Sequence, residues 1–506
     1  MKNELKVGAV LSYITMGLGF IILLGFTPIM LRLLGQSEYG LYNFVASIVS
    51  YLGLLSFGFG SAYMRYYHRF KVKEDNDGIA KLNGMFLIVF SIIGIIALIA
   101  GIILVLNIDF VLGTKFTTNE IDIARILMIV MIINIALTFP ASIFHSHITA
   151  NEKFIFQKFL QLIKVVANPF LILPILLMGY GSVGMVIVTT ILSIGIEISN
   201  ILFCIKKLKI KFYFKNFDFS LMKEITIFAS FIFVNMIIDQ INWNVDKFLL
   251  GRYKGTVAVA IYGLAAQINI YYLSVSKAVS NVFIPRINKI VASTNDNSEL
   301  TKLFTKIGRI QFMILFLVCS GLFFFGKPFI QMWAGDEYSG TYFILMILII
   351  PVTIPLIQNI GIEIQKAKNM HKFRSWVYLF IAVFNIIISI PLIKAYGGVG
   401  AAIGTAIALT IGNIILMNIY YHKSVGLDIK YFWSEILNFS KSLVIPILVG
   451  SFIMYYLDLY NVGIFIISGL IYVIIYCLSS WYFGMNLYEK ELIGNPIKKI
   501  KKKIYR

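Results

Sequence analysis

The sequence predicts an all-α integral membrane protein with about fourteen transmembrane helices. The evidence is the composition, a series of long apolar segments and an internal duplication. Of the 506 residues, 59% are hydrophobic and only 13% are charged, whereas soluble domains have roughly 45–50% apolar and about 25% charged residues. A water-soluble core cannot hold so much apolar surface, because the surface-to-volume ratio limits burial. A lipid bilayer is the solvent that suits this composition.

The apolar segments have the length that a bilayer requires. About twenty apolar residues cross a hydrocarbon layer about 30 Å thick, and such segments recur about fourteen times. The net charge of +20 would suggest nucleic acid as a partner of a soluble domain. Here the lysines and arginines lie almost entirely between the apolar segments, so no nucleic-acid partner is expected.

Charge in the connections predicts the orientation. Cations follow the even-numbered spans, for example at Arg69, Lys206 and Lys366. By the positive-inside rule, both termini are then cytoplasmic. The basic tail that ends at Arg506 is expected to lie beside anionic headgroups.

The two halves of the chain carry the same landmarks in the same order, which indicates duplication. The offset between partners is close to 216–220 residues. The pairs are Tyr180 and Tyr396 (opening YGSVG and YGGVG), Gly35 and Gly251 (each ending LLG), Tyr42 and Tyr262, Pro140 and Pro355, and Ala150 and Ala367. Six spans per half is an even number, so we expect equally oriented halves related by a pseudo-two-fold axis along the membrane normal.

The duplication predicts four segments. An N-lobe with spans 1 to 6 covers residues 1–205, and a cytoplasmic connector covers 206–222. A C-lobe with spans 7 to 12 covers residues 223–422. Residues 423–506 supply a C-terminal helix pair, spans 13 and 14, and the basic cytoplasmic tail.

Several short motifs carry a family resemblance. They are LGQSEYGLY after the first span, NVDKFLLGRY in the seventh, QMWAGDEYSG after the ninth and YGGVGAAIGT opening the twelfth. In order and spacing they resemble the polysaccharide-biosynthesis flippases, the Wzx-type members of the multidrug/oligosaccharidyl-lipid/polysaccharide exporter superfamily. The resemblance covers the chain from Met1 to about His422.

The resemblance implies a function, a location and partners. The implied function is a flippase for cell-surface polysaccharide synthesis, working by alternating access. It would move a polyprenyl-diphosphate-linked oligosaccharide from the cytoplasmic to the outer leaflet of a bacterial plasma membrane. The implied partners are the lipid-linked glycan, the membrane lipids, a glycan polymerase and glycosyltransferases.

Polar residues in the seventh span are the first site candidates. An ionisable residue at bilayer depth costs about 2.5–3.5 kcal/mol on insertion scales, so it needs a partner or a watery cavity. Asn235, Asp239, Asn242 and Asp246 recur at intervals of four, three and four, which places them on one helix face. We expect this stripe to line a cavity that binds sugar hydroxyls or carries a coupling H⁺ or Na⁺. The alternative is a polar seam between helices, with Asp246 reaching the outer interface.

Two further candidates are polar residues in other spans. Lys164 and Glu197 lie at similar distances before and after the hairpin at Tyr180, so antiparallel neighbours would bring them level. They form either part of the substrate pathway or a structural ion pair. Lys277 in the eighth span either extends to the headgroups or attracts the substrate diphosphate.

Two arginines occupy matching positions of the halves. Arg65 ends the second span and Arg286 ends the eighth. Cations at the cytoplasmic mouth of a central cleft would suit a dianionic headgroup. Ordinary positive-inside anchoring explains the same two residues.

The motifs that are missing limit the remaining functions. No Walker-type loop, catalytic triad or nucleotide loop occurs, so we expect a transporter, not an enzyme, driven by an ion or substrate gradient. No cofactor or metal site is expected, since His145 and His147 lack further ligands. The alternatives are a multidrug or metabolite/cation antiporter of the same superfamily and a membrane glycan polymerase or acyltransferase. The last would need catalytic residues on a large outer loop, and the predicted outer loops are short.

Overall fold

A computed structural model describes residues 2–215, 217–293, 296–370, 372–492 and 494. The regular structure of these residues is helical, with no strand among them, so the predicted all-α fold class is confirmed. The basic tail from residue 495 onward lies outside the described residues.

The chain forms two compact units. The first contains the residues up to Gly263 together with Ile393–Gly398, and the second contains Leu264–Leu392 and the residues from Val399. The seventh span therefore belongs to the first unit. The predicted lobe boundary at residues 206–222 stays a prediction.

The first unit is built from eight long or short helices and the start of a ninth. They are α1 Lys2–Ser50, α2 Phe59–Val72, α3 Asn76–Leu106, α4 Ile108–Leu112, α5 Thr118–Ala150, α6 Phe154–Leu177, α7 Gly181–Lys206, α8 Phe219–Lys254 and α9 Thr256–Asn281. A 3₁₀ segment, Tyr51–Ser56, joins α1 to α2. Aromatic side chains of α2, α3 and α5 form its core, including Tyr63, Phe86 and Phe139.

The second unit continues with the remaining helices. They are α10 Ile284–Ser293, α11 Asn297–Ala334, α12 Thr341–Ile357, α13 Ile360–Ala367, α14 Lys372–Leu409, α15 Met417–Tyr420, α16 Ile429–Ser440, α17 Val444–Tyr456 and α18 Val462–Ser479. Short 3₁₀ segments are Asp336–Tyr338 and Lys441–Leu443, and π-helical segments are Thr410–Leu416, Tyr421–Val425 and Ser480–Gly484. The C-terminal helices α16, α17 and α18 pack on α11.

The helices account for the predicted fourteen spans. Eleven described helical segments are long and apolar enough to cross a membrane, or twelve if the bent pair α12 and α13 counts as one span. Two of these segments, Val10–Val72 and Lys372–Val425, have 63 and 54 residues, which is about 95 and 80 Å of helix. Each contains a glycine with non-helical dihedrals, Gly35 or Gly397. Dividing both segments at these glycines raises twelve spans to fourteen.

The connections repeat between the two halves of the sequence, which supports the duplication. Glycines with positive φ occupy three pairs of corresponding turns: Gly35 (73°) and Gly255 (84°), Gly113 (78°) and Gly335 (107°), and Gly181 (56°) and Gly397 (59°). The segments that start at Ala150 and Ala367 also match, because Glu152 and Asn369, each two residues later, have φ of 59° and 56°.

One predicted landmark pair is wrong by four residues. Gly251 was matched to Gly35, but Gly251 lies inside α8, where the Phe44 ring occupies the space that a Cβ would need. The turn residue equivalent to Gly35 is Gly255. The repeated LLG ends one span in the first half, whereas the equivalent span of the second half continues for another turn of helix.

Successive spans alternate in direction, so the connections of the first unit lie on two faces. We call the face with the turns at Gly35, residues 113–117, Gly181 and Gly255 the glycine-turn face. The opposite face, with the connections 73–75, 151–153 and 207–218, is the connector face.

Candidate functional site

The polar stripe of the seventh span lies on α8, and its two ends have different environments. Asn235 and Asp239 are exposed, and Asn242 is half-buried. Asp246 is only 3% exposed, and its Oδ2 accepts a hydrogen bond from the Tyr262 hydroxyl at 2.7 Å. Asp246 therefore belongs to a packed polar contact between α8 and α9, whereas the Asp239 side chain is exposed.

The position of Asp239 is chemically unusual. It lies near the middle of α8, a helix of 36 residues, and its side chain is exposed. A carboxylate at that depth would be costly in contact with lipid. An exposed acidic side chain in mid-span is therefore compatible with a water-containing cavity.

The basic residues of α2 contact the connector-face end of α8. The Arg65 guanidinium lies over the Phe228 ring, 4.3 Å from its centroid. Arg69 donates to both carboxylate oxygens of Glu224, at 3.1 and 3.2 Å. Both arginines are exposed, so both guanidinium groups lie at the surface of the first unit.

Arg286 and Lys277 belong to the second unit. Arg286 is exposed on α10, a short amphipathic helix whose Ile287 and Ile290 are buried. Lys277 is exposed on α9. Arg286 thus follows the eighth span on a separate helix, whereas Arg65 lies within the helix that ends the second span.

The structure does not bring Lys164 and Glu197 into an ion pair. Lys164 is exposed on α6, and Glu197 of α7 accepts a hydrogen bond from the Asn200 amide at 3.2 Å. The ion pairs found among the described residues join other side chains. Their equal distance from the hairpin does not suffice, because the facing direction of each helix also matters.

Sequence reasoning missed a cluster on the glycine-turn face. The Glu120 carboxylate accepts hydrogen bonds from the Ser37 hydroxyl at 2.6 Å and the Thr256 hydroxyl at 2.9 Å. The two hydroxyl oxygens are 3.0 Å apart. We call Ser37, Glu120 and Thr256 the Glu120 cluster; it joins the turn after the first span, the start of α5 and the start of α9.

Neighbouring contacts strengthen this face. Glu38 accepts from the backbone N–H and the hydroxyl of Ser182, at 2.5 and 2.7 Å. Arg252 donates to the Phe110 carbonyl at 3.0 Å. The local signal was the sequence Thr117–Glu120, which forms a capping box at the start of α5; it predicts a helix start but not the partners from other spans.

A helix crossing lies directly below the Glu120 cluster. A Cβ on Gly40 would lie 1.9 Å from the Thr256 carbonyl oxygen and 3.2 Å from the Ala260 nitrogen. A Cβ on Gly263 would lie 3.2 Å from the Asn43 amide. Gly40 and Ala260 are 220 residues apart, as are Asn43 and Gly263. The second and eighth spans therefore contact each other through residues at corresponding positions of the two halves.

A second missed cluster, buried in the second unit, surrounds Arg309 of α11. Its Nε and Nη2 donate to the two carboxylate oxygens of Glu489 at 2.7 and 3.0 Å. Its Nη1 donates to the Glu435 carboxylate at 3.0 Å and to the Glu435 carbonyl at 2.8 Å. Its Nη2 also donates to the Gly484 carbonyl at 2.9 Å. We call Arg309, Glu435 and Glu489 the Arg309 cluster; it joins α11 to the C-terminal helices.

Comparisons with known proteins place the fold. A solved structure of the lipid II flippase MurJ in an inward closed conformation matches with a TM-score of 0.73 and 19% identity, covering 96% of this chain and 99% of that one. An inward-facing multidrug resistance MATE family transporter of the MOP superfamily matches with a TM-score of 0.62 and 14% identity, covering 82% and 99%. At these identities, the likeness shows the fold.

Sequence comparison adds a relative and a family. A putative O-antigen transporter of Shigella flexneri is 21% identical over 401 residues, which cover 77% of this chain and 91% of the relative. A family model described as polysaccharide biosynthesis protein matches residues 7–291, which is more than half of the chain. The protein therefore belongs to the polysaccharide biosynthesis protein family.

Proposed function

We propose that the protein is a flippase for a polyprenyl-diphosphate-linked oligosaccharide, which it moves across a bacterial plasma membrane for cell-surface polysaccharide synthesis. The family, the putative O-antigen transporter and the flippase fold support this function. Glycosyltransferases that build the glycan and a polymerase that extends it would act before and after this step.

The observation that carries the proposal is the part of the α8 stripe from Asn235 to Asn242, which is exposed or half-buried. Asn235, Asp239 and Asn242 offer carbonyl, carboxylate and amide groups along one helix face. Sugar hydroxyls both donate and accept hydrogen bonds, so such a face suits a glycan better than an apolar cargo. We propose that these three residues contact the oligosaccharide as it passes.

The basic residues suit the diphosphate end of the substrate. Arg65 on α2, and Arg286 and Lys277 in the second unit, have exposed side chains. We propose that the connector face of the first unit is cytoplasmic, because its loop cations concentrate there, and that both termini are cytoplasmic. Each of these cations could form a charge-assisted hydrogen bond with a diphosphate in the leaflet where the substrate is made.

We also propose that transport is coupled to H⁺ or Na⁺ through Asp239. It is the exposed carboxylate of the stripe and lies near the middle of α8, whereas Asp246 is buried. A carboxylate in a cavity can bind a cation in one state and release it in another, as in other intramembrane relays.

Substitutions of Asp239 and Lys277 test their proposed roles in export. We expect Asp239→Asn and Lys277→Ala each to reduce export of lipid-linked glycan by about tenfold or more, since each removes a charged contact. The measurement is accessibility of the glycan on the outer surface of cells, with membrane insertion checked by extraction. Asp122→Asn is the matched control, because Asp122 is exposed and pairs with Arg125 of its own helix.

The outcomes separate the candidate functions. Normal glycan export by both inserted variants would remove these residues from the pathway. If the wild type exported a small organic cation and its presence did not change glycan accessibility, the protein would instead be an antiporter of the same fold.

A further inference from the structure

Two cavities follow one another along the flank of the first unit formed by α6 and α7. The first, of about 530 Å³, lies at the connector-face end. Its walls combine charged and aromatic side chains: Glu4, Lys153, Phe156, Phe159, Phe203 and Lys207. This is the composition of a site at the boundary between headgroups and hydrocarbon.

The second cavity, of about 520 Å³, lies farther into the span and is apolar. Aliphatic side chains such as Leu160, Ile163 and Leu192 line it. Gly195 leaves it open, because a Cβ placed there would have no atom within 4 Å.

Helical spacing makes the two cavities one continuous groove. Residues three or four positions apart share a helix face. Phe156 and Phe203 line the first cavity, and the second begins one turn away on each helix, at Leu160 and Ser199. On α7 the steps are Val188, Leu192, Gly195, Ser199 and Phe203, and Lys207 follows directly after the end of the helix.

The apolar part of the groove lies at bilayer depth, which determines the kind of group that fills it. If the groove were empty, its walls would lose dispersion contacts. The surrounding solvent at this depth is hydrocarbon. The Phe156 and Phe203 rings stack with centroids 3.9 Å apart and give the groove a rigid wall. A lipid chain is the occupant that this environment supplies.

The charged part selects the headgroup. Lys153 lies 3.9 Å from Glu4, so these two charges largely compensate each other. Lys207 is exposed and forms no ion pair with the described carboxylates. The cavity therefore has a surplus of one positive charge, which matches a single phosphodiester.

We propose that this groove binds an anionic phospholipid of the leaflet at the connector face. Its phosphodiester lies at Lys207 and Lys153, and one acyl chain follows the α6–α7 seam past Gly195. Because α6 packs on both α1 and α7, the bound lipid would stabilise the packing of these three helices. This site is separate from the α8 stripe, so the proposal does not depend on what the protein transports.

Lipid titration of the purified full chain tests the headgroup. Binding of phosphatidylglycerol and phosphatidylcholine is measured by native mass spectrometry, and thermal unfolding is followed with each lipid. We expect preferential binding and stabilisation by phosphatidylglycerol. The preference should fall about tenfold in Lys153→Gln/Lys207→Gln and by a smaller factor in Lys207→Gln, since each lysine attracts an anionic headgroup. Lys158→Gln, on α6 outside the cavity, is the control and should bind as the wild type does.

A second set of variants tests the chain-binding groove. Gly195→Ala and Gly195→Leu add bulk where the fold has open space, so the protein should remain folded. Both should weaken phosphatidylglycerol binding, and Gly195→Leu should weaken it more. Ile99→Phe adds bulk to a side chain of α3 that is 53% exposed and should have no effect. Equal binding by the wild type and Gly195→Leu would overturn the proposal.

Competition distinguishes the sources of the phosphate. Millimolar inorganic phosphate should not displace phosphatidylglycerol, because it lacks the chain. Displacement by inorganic phosphate would show a free-anion site. If a long-chain polyprenyl phosphate displaced phosphatidylglycerol, and Gly195→Leu weakened that displacement, the groove would be assigned to the carrier lipid. Either result would overturn the proposal of a resident phospholipid.

Discussion

Glu120 and Arg309 are both surrounded by groups that stabilise their charge. Glu120 is half-buried at the start of α5, where hydroxyl donors and the positive end of the helix dipole stabilise its negative charge. Arg309 is 5% exposed between two carboxylates. Both residues join elements that are far apart in sequence, so each is expected to contribute more than a surface ion pair would.

Replacing Glu120 should loosen the glycine-turn face. Glu120→Ala removes the acceptor shared by Ser37 and Thr256, so we expect faster hydrogen–deuterium exchange in residues 36–50 and 256–263. Asp122→Asn, two residues along the same helix, should leave exchange in both segments unchanged. Unchanged exchange in Glu120→Ala would show that the helix crossing alone holds this face together.

Replacing Arg309 should destabilise the second unit. Arg309→Met leaves Glu489, which is 2% exposed, without its charged partner, and breaking a buried pair costs about 3–5 kcal/mol. Thermal unfolding in detergent measures the effect. Arg309→Met/Glu489→Leu should recover much of the stability, because it removes both charges. A double variant no more stable than Arg309→Met would argue against the buried pair as the cause.

The sequence predicts these residues only in part. The spacing of Thr117 and Glu120 predicts a helix start, but the hydroxyls that complete the site come from positions 83 and 136 residues away. Likewise, nothing local marks Arg309 as the partner of Glu489, since that pairing depends on how the C-terminal helices pack. The α8 stripe was visible because helical periodicity alone places its members on one face.

At the scale of elements, the helix crossing at Gly40 brings the second and eighth spans into close contact. Spans in a bilayer approach closely where small residues meet, and here Gly40 faces the backbone of Thr256 and Ala260. The proline positions differ between the halves. α5 runs unbroken through Pro140, whereas α12 ends two residues after Pro355 and bends by 44° against α13.

Adding a methyl group at Gly40 should separate the crossing. A Cβ there would lie 1.9 Å from a carbonyl oxygen, a contact that only a shift of one helix can relieve. We expect Gly40→Ala to be inserted but to transport less than a tenth of the wild-type amount. Gly17→Ala is the control, because a Cβ at that position meets no atom within 4 Å. Equal transport by the two variants would mean that the crossing is not maintained during function.

The sequence predicts the membrane spans better than it predicts which residues of the two halves are equivalent. The bilayer requires long helices whose backbone groups bond within the helix, so hydropathy alone identifies fourteen spans. The LLG landmarks then suggested Gly251 as the partner of Gly35, and the structure replaced it with Gly255. Short repeated motifs do not reveal an extra helical turn, because the hydropathy of the span is unchanged by it.

At the scale of the whole molecule, alternating access requires contacts on one face to form and break. The Glu120 cluster and the crossing at Gly40 hold the glycine-turn face together in this structure. Ser37 and Thr256 belong to corresponding spans of the two halves, so their separation would be a movement between repeats. This makes the distance between Ser37 and Thr256 a direct measure of the state of that face.

A reversible disulfide tests this movement. The Ser37 and Thr256 hydroxyl oxygens are 3.0 Å apart, which is close enough for a cysteine pair to bridge with small adjustments. We expect Ser37→Cys/Thr256→Cys to stop transport under oxidising conditions and to recover with a reductant. Each single variant should transport normally under both conditions. Full activity of the oxidised, cross-linked protein would show that this face does not need to open.

The paired positive-φ glycines also determine how the protein can be detected. The turns at Gly35, Gly181 and Gly255 are tight and expose little chain, and a residue with a side chain would be strained at each of them. An antibody raised against that side would find few linear epitopes, and a protease few cleavable loops. A reporter tag would be poorly tolerated at any of these turns.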